Sequence, residues 1–329
     1  MRLVTFIDSD GRPRAGAFID NDQAVVDLQG ASLAVSQKEH MAFTSVLALL
    51  EAGDDALNQA KALVAKAPSA AVLQRSNVKL LAPIQPPPQI RDCSCFELHL
   101  QQCYESARRA KASRAADPEA ALRDMDTSED DRVLETFNRQ PIYYKANRFA
   151  VIGPDEPVIW PSYSRLMDFE LELACYIGKG GKNISRDQAR AHIAGFTIFN
   201  DMSARDAQGR EMPGKLGPAK GKDFDTGNVM GPCLVTADEI EDPYNLTMVA
   251  RVNGEEWGRG STADMRWQFE DLIEHISRDE TLYTGEVLGS GTVGNGCGLE
   301  HLRYLKPNDV VELEIEQIGI LASQIIKAE

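Results

Sequence analysis

Four prolines fall within six residues at Pro83-Ile84-Gln85-Pro86-Pro87-Pro88, and neither a helix nor a central strand runs through such a segment. Proline lacks the amide hydrogen that both hydrogen-bond ladders need, and consecutive prolines hold the backbone extended and stiff. The run therefore divides the 329 residues into a small unit, 1–82, and a large one, 83–329. The chain is long enough to bury a hydrophobic core. Its 43% hydrophobic and 26% charged residues are ordinary for a globular protein.

The small unit reads as α/β. Val4 and Phe6 lead into an Asp8-Ser9-Asp10-Gly11 turn, which predicts a hairpin, and Ala17-Phe18-Ile19 and Ala24-Val25-Val26 continue as short strands. Helical spacing follows over 41–67, with Val46, Leu47, Leu49 and Leu50, then Leu57, Ala60, Leu63 and Val64 after a Gly-Asp-Asp break. In the large unit, residues 98–137 are rich in alanine and charge and contain no glycine. They predict helix, cut in two at Asp117-Pro118. Because the stretch starts beside His99, 98–140 is a candidate helical lid. From residue 141 the chain turns strand-rich. Ser185 and Gln188 suggest a capping box for a short helix through His192, and Gly195–Phe199 a buried strand. Met265, Phe269, Leu272, Ile273 and Ile276 have helical spacing, and Val311, Leu313 and Ile315 alternate with glutamates as a half-buried strand would.

Several function classes fall away. A net charge of −15 leaves no basic footprint for nucleic acid. The N-terminal stretch has no continuous apolar core, and no apolar run reaches about eighteen residues, so neither a signal peptide nor a membrane-spanning helix is expected. The six cysteines form no CxxC pair, which speaks against zinc-ribbon and thioredoxin-like sites; reduced thiols in a cytoplasm are expected.

The chemistry-bearing residues come in four segments. In Asp168-Phe169-Glu170-Leu171-Glu172-Leu173, strand alternation puts Phe169, Leu171 and Leu173 into the core and both glutamates on the other face. Two neighbouring carboxylates repel unless a cation lies between them. An exposed acidic edge strand would give the same pattern, as Glu312, Glu314 and Glu316 do. Phe199-Asn200-Asp201-Met202-Ser203-Ala204-Arg205-Asp206-Ala207-Gln208 ends an apolar strand in a polar cluster, where Asp201 adds a third carboxylate and Arg205 and Gln208 are donors for a carboxylate or oxyanion. Lys222 lies between the tight turns of Gly217–Gly227. Gly289–Glu300 is a second glycine-rich stretch, whose amides can approach a ligand closely.

Taken in order, the Glu-x-Glu strand, the Asn-Asp-x-Ser-Ala-Arg-Asp-x-Gln segment, the Gly-Lys-x-Phe-Asp-Thr segment and the late Ser-Gly-Thr closely resemble the fumarylacetoacetate hydrolase family, over roughly residues 83–320. The resemblance implies an α+β, β-rich fold of rolled mixed sheets, a homodimer and a cytoplasmic enzyme acting on a small dicarbonyl acid. It implies that Asp92, Glu170, Glu172 and Asp201 hold a divalent cation. An all-oxygen set suits Mg²⁺ first, with Mn²⁺ or Ca²⁺ as alternatives. It implies His99 as general base oriented by Glu300, Lys222, Gln208 and Arg205 as oxyanion donors, Thr292 and the position of Ser94 as substrate contacts, and Thr226 as a supporting hydroxyl. The sequence departs from the family pattern at Ser94, at Met212 and at Gln102, which stands where a lid glutamate is usual in the acylpyruvase branch.

The expected reaction is hydrolytic cleavage of a carbon–carbon bond in an acylpyruvate- or fumarylacetoacetate-like acid. Decarboxylase, isomerase or hydratase chemistry on a 2-oxo acid is the alternative on the same fold, and an inactive ligand-binding homologue is a second.

Overall fold

The computed structural model describes residues 1–327. Its first element is the expected hairpin. Asp8 Oδ1 accepts from the amides of Asp10 and Arg12, Gly11 supplies a positive φ of 76°, and the strands Arg2–Ile7 and Pro13–Ile19 pair antiparallel on either side. The hairpin then joins something larger. Leu3 pairs with Leu234, so the strand Arg2–Ile7 lies against Asn228–Thr236 from the far side of the proline run. Residues 1–82 and the remainder thus share one twelve-stranded sheet. They also share a core, in which Leu3, Leu28 and Leu49 pack with Tyr176, Phe199 and Met230.

Across that sheet the strands run Val72–Gln74, Ala24–Asp27, Pro13–Ile19, Arg2–Ile7, Asn228–Thr236, Ile193–Asp201, Leu171–Ile177, Val287–Gly289, Ile90–Ser94 and Ile142–Lys145. All are antiparallel neighbours except Val287–Gly289 and Ile90–Ser94, which run parallel. Leu171–Ile177 is buried at every position. That is what a central strand covered on both faces requires. A second, five-stranded sheet carries Val310–Ile315, where Val311, Leu313 and Ile315 are fully buried and the glutamates between them only partly covered. The expectation of an α+β fold of mixed sheets holds.

Three helices follow His99 where two pieces were expected: Glu97–Ala112, Pro118–Arg123 and Ser128–Arg139. Pro118 occupies the first turn of the second, with Asp117 capping it by accepting from the Ala120 amide. The second break, at 124–127, had no proline or glycine to announce it. Ser185 does precede a short helix, but its hydroxyl makes no capping bond. The capping box forms instead at Gln268 and Asp271, at the start of Phe269–Ser277. Among the described residues, no helix is long and apolar enough to cross a membrane.

Candidate active site

The sheet order brings the four sequence segments together. Asp92 lies at the centre of the short strand Ile90–Ser94, Glu170 and Glu172 bracket the start of Leu171–Ile177, and Asp201 ends Ile193–Asp201. These strands are neighbours by way of Val287–Gly289, so their carboxylates converge on one end of the sheet. Asp92, Glu172 and Asp201 each offer an oxygen, and the three lie within 4.8 Å of one another. All three residues are buried. Gly289 makes the convergence sterically feasible. A Cβ there would stand 2.7 Å from Asp92 Oδ1 and 2.8 Å from Glu172 Oε2. Two residues on, Gly291 (φ 72°) donates its amide to Glu172 Oε2 at 3.1 Å. The glycine-rich stretch therefore orients a carboxylate, and its Gly291 and Thr292 also line the cavity beside it.

Electrostatics decide whether this set fits a cation. Burial raises the carboxyl pKa values of Asp92, Glu172 and Asp201, and neighbouring carboxylates add to the rise; Asp201 is pushed up to about 8. One oxygen of each, Asp92 Oδ1, Glu172 Oε1 and Asp201 Oδ1, is buried without a hydrogen-bond partner. Three mutually repelling buried carboxylates with an orphaned oxygen apiece fit a hard, oxygen-seeking divalent ion. Glu170 stands apart from this trio. Its Oε2 accepts from Lys222 Nζ at 2.5 Å and its Oε1 pairs with Arg205 at 2.7 Å. Burial acts to raise its pKa, but Arg205 and Lys222 outweigh that and hold the carboxyl below its ordinary range. Lys222 also reaches Asp201 Oδ2 at 2.6 Å.

Across the cavity, His99 Nδ1 meets Glu300 Oε1 at 2.8 Å. Burial disfavours charge on the ring, yet hydrogen bonds to Cys297 and Glu300 overcome it and push the His99 pKa up to about 10. Burial also pushes the Cys297 thiol well above its usual range. Gln102 has a different task from the lid glutamate it replaces. It exchanges two hydrogen bonds with Asn295, and Ser106 donates to the Glu300 carbonyl, which ties the Glu97–Ala112 helix to the glycine-rich stretch.

The cavity between these groups has a volume of about 350 Å³. His99, Ser94, Thr292, Gln208 and Lys222 line it together with Asp92, Glu170 and Glu172. Four of the expected residues lie outside that lining: Asp201 and Glu300, whose contacts are given above, and two more. Arg205 is absent from that lining: its Nε donates to Asp168 Oδ2 at 2.8 Å and its Nη1 to Gln208 Oε1 at 3.0 Å. A guanidinium so engaged positions Gln208 and Glu170, while its Nη2, buried without a partner, remains a donor. Thr226 accepts from the Ile159 amide at 2.8 Å and braces a strand of the second sheet. Sequence reasoning missed Asp168 and Tyr144. Asp168 is fully buried and also accepts from the amides of Gly298 and Leu299. Tyr144 donates to Asp201 Oδ2 at 2.7 Å. Its pairing register was the available signal, since Tyr144 stands opposite Asp92. Leu100, Tyr104 and Val133, from the helices after His99, and Ile142 and Met212 form an apolar wall.

Residues 110–326 match the family model for the fumarylacetoacetate (FAA) hydrolase C-terminal region. The chain belongs to the fumarylacetoacetate hydrolase family. Within that family, a human protein named oxaloacetate tautomerase FAHD2A, mitochondrial, is 36% identical over 280 residues, covering 84% of this chain and 78% of its own length. Oxaloacetate tautomerase YisK of Bacillus subtilis (strain 168) is 31% identical over 317 residues, covering 94% and 95%. Maleylpyruvate hydrolase from Sphingobium sp. SYK-6, solved with manganese(II) ion and pyruvate, shares the fold with a TM-score of 0.71 at 20% identity, with 100% of both chains covered.

Proposed function

We propose that this member of the fumarylacetoacetate hydrolase family is a metal-dependent tautomerase of a small 2-oxo acid of the oxaloacetate type. This replaces carbon–carbon hydrolysis, the reaction expected from sequence, as the leading reading. The observation that carries it is that His99, paired with Glu300 at 2.8 Å, lines the same cavity as Asp92 and Glu172, which converge with Asp201. Full-length relatives that carry the name oxaloacetate tautomerase support the same choice.

Ketonisation releases the enol hydroxyl's proton to solvent and places one on the adjacent carbon from a proton donor that is then reprotonated by solvent, with no net change in mass. Glu300 occupies His99 Nδ1, so Nε2 is the atom left to carry the proton. The raised pKa makes His99 a proton donor at neutral pH, in keeping with delivery to carbon. Asp92, Glu172 and Asp201, with Glu170 beside them, would hold a divalent cation, Mg²⁺ or Mn²⁺. Bound there, the ion supplies Lewis-acid stabilisation of negative charge on a 2-oxo acid's oxygens. Lys222 neutralises Glu170 and Asp201. Because Arg205 occupies the Gln208 carbonyl oxygen, the Gln208 amide hydrogens are the donors offered to substrate oxygen. Thr292 and Ser94 contact the substrate. The helices of 98–140 act as the lid that excludes water, and the protein works as a homodimer.

Hydrolysis of a longer acylpyruvate is the second reading. The apolar wall of Leu100, Val133, Ile142 and Met212 favours it, because that wall offers no cation to a second carboxylate.

One assay separates the two. Mg²⁺- or Mn²⁺-loaded protein is mixed with enol oxaloacetate and with an acylpyruvate panel, and enol absorbance is followed with mass spectrometry of the products. Faster enol decay at unchanged mass is expected. Two acid fragments that together contain one added water would overturn tautomerisation in favour of hydrolysis, and carbon dioxide release would overturn both.

A further inference from the structure

Behind the His99–Glu300 pair lies a cluster of different chemistry. His99, Cys103 and Cys297 each offer a ligand atom, and these atoms lie within 4.8 Å of one another. Cys103 follows His99 by one helical turn on Glu97–Ala112, so both side chains share a face. Cys297 comes from the glycine-rich stretch, where its backbone bridges to Glu170 and its amide donates to Glu300 Oε2. Both thiols are free.

We propose that His99, Cys103 and Cys297 form a second metal site, selective for a soft or borderline ion such as Zn²⁺, and that filling it withdraws His99 from proton transfer. Three observations converge. First, the separation is close to what a metal needs. Cys103 Sγ stands 3.6 Å from His99 Nε2 and 3.7 Å from Nδ1, so a rotation of the Cys103 side chain is needed to bring it round to the Nε2 side. A tetrahedral zinc with Zn–N near 2.0 Å and Zn–S near 2.3 Å places those two atoms about 3.5 Å apart. Second, the ring is already held as a zinc ligand needs to be. Glu300 on Nδ1 fixes the orientation and leaves Nε2 free, which is the carboxylate–histidine–metal arrangement. Third, the donor set differs in kind from the acidic trio. Two sulfurs and an imidazole suit Zn²⁺, whereas carboxylates suit Mg²⁺, so the two sites sort ions by softness. His99 lines the cavity, which leaves a fourth position for water.

Binding displaces one proton from each thiol and the Nε2 proton that His99 carries at neutral pH, so the ion takes up two thiolates and a neutral imidazole and releases three protons. Affinity therefore rises with pH. Burial holds the Cys297 thiol well above its usual range, so the ion has to displace that proton.

The metal site stands on geometry alone; its effect on turnover rests on the tautomerase reading, in which His99 carries the proton. The test uses the full chain, reduced with a phosphine and saturated with Mg²⁺. Co²⁺ is titrated as a spectroscopic stand-in and then displaced by Zn²⁺. A near-ultraviolet thiolate-to-cobalt charge-transfer band that saturates at one equivalent per chain is expected. Cys103→Ser and Cys297→Ser should each remove it and weaken Zn²⁺ binding by roughly 100-fold or more, beyond the loss typical of a supporting residue. Cys103 is only half-buried, so its serine variant, checked by circular dichroism, keeps the test sound if the Cys297 variant fails to fold. Absence of the band in the parent protein, or its persistence in both serine variants, overturns the site. Zn²⁺ should also stop turnover of the parent and spare Cys103→Ser. A saturated band with undiminished turnover would uphold the site and instead remove His99 from the reaction.

Discussion

His99 and Glu300 are separated by 201 positions in the chain, yet their side chains meet at 2.8 Å, with His99 on the cavity wall and Glu300 buried behind it. One lies on the first helix after the strand that bears Asp92, and the other in a short 3₁₀ turn at the end of the glycine-rich stretch. Each is held by its own neighbours. The Cys297 amide donates to Glu300 Oε2, and Gln102 and Ser106 fasten the helix that carries His99.

This pair yields the first prediction. His99→Ala removes the proton carrier and should lower turnover by about 10²–10⁴-fold, while Mn²⁺ affinity measured by calorimetry stays nearly unchanged, because His99 is not in the acidic set. Glu300→Gln removes the charge that raises the ring's pKa. Its His99 titration, read by NMR, should move down from about 10 toward the ordinary histidine value. An unmoved titration would mean that Glu300 is not the orienting charge.

The second prediction concerns pH. Above about pH 5 ordinary carboxylates no longer titrate, but folded Asp201 keeps its proton to about pH 8. Over that interval the unfolded chain has lost a proton that the folded chain retains, so the stability of the metal-free protein falls as pH rises. His99, raised to about 10, acts with the same sign above its ordinary range of about 6.5. A divalent cation replaces the retained carboxyl protons. The gain in Tm from excess Mn²⁺ should therefore grow from pH 5 to pH 8 in scanning calorimetry. A gain independent of pH would show that the trio is not protonated in the metal-free state.

How far the sequence disclosed this site depends on which forces placed each residue. Glu170, Glu172 and Asp201 could be read because strand alternation and an apolar run ending in polar residues are local patterns. Asp92, His99 and Glu300 became readable only through the order of the family's motifs, since nothing local links positions 92, 99 and 300. Arg205 looked like an oxyanion donor because guanidinium groups often are. Its role turned on Asp168, whose burial and two backbone donors lie outside any local pattern. Tyr144 escaped because its contact with Asp201 depends on the pairing of Ile90–Ser94 with Ile142–Lys145 across the three helices between them. The proline run suggested two units, and the pairing of Arg2–Ile7 with Asn228–Thr236 joins them in one sheet. A long-range antiparallel pairing leaves no trace in either strand alone.

Arg205 supports the third prediction. It is buried and divided between Asp168 and Glu170. Lysine brings the charge without the planar fork, so Arg205→Lys should keep much of the fold but loosen Gln208 and Glu170. Arg205→Met leaves buried Asp168 without its charged partner and Glu170 with Lys222 alone, and should cost about 3–5 kcal/mol in urea unfolding. Equal stability of the methionine variant and the parent would argue that the pair is not engaged in solution.

Tyr144→Phe is the fourth. The phenol has its pKa pushed well above the ordinary value by burial and by Asp201, so it remains a donor at any working pH. Removing it frees Asp201 Oδ2 from one partner while Lys222 keeps the other. Metal affinity or turnover should fall by about 10–100-fold, the usual effect of losing a group that orients a metal ligand, with little change in Tm. A variant with parental affinity and turnover would place Tyr144 outside the working site.

Gly289→Ala is the most economical probe of the acidic set, because it alters no ionisable group. The residue is fully buried in a strand, and its new methyl would stand 2.7 Å from Asp92 Oδ1, 2.8 Å from Glu172 Oε2 and 3.1 Å from a Phe199 ring carbon. The two carboxylates are ends of side chains and can move apart, whereas the Phe199 ring lies in the packed core and yields less. The substitution should therefore separate the two carboxylates by pushing them off the methyl, and destabilise the protein by about 1–3 kcal/mol through overpacking. Mn²⁺ binding should weaken far more than that loss of stability would produce in a protein that remains folded. Calorimetric titration on a preparation with a native circular-dichroism spectrum reads this directly. Full affinity in a folded Gly289→Ala protein would mean that the cation is held without Asp92 and Glu172 converging at this strand end.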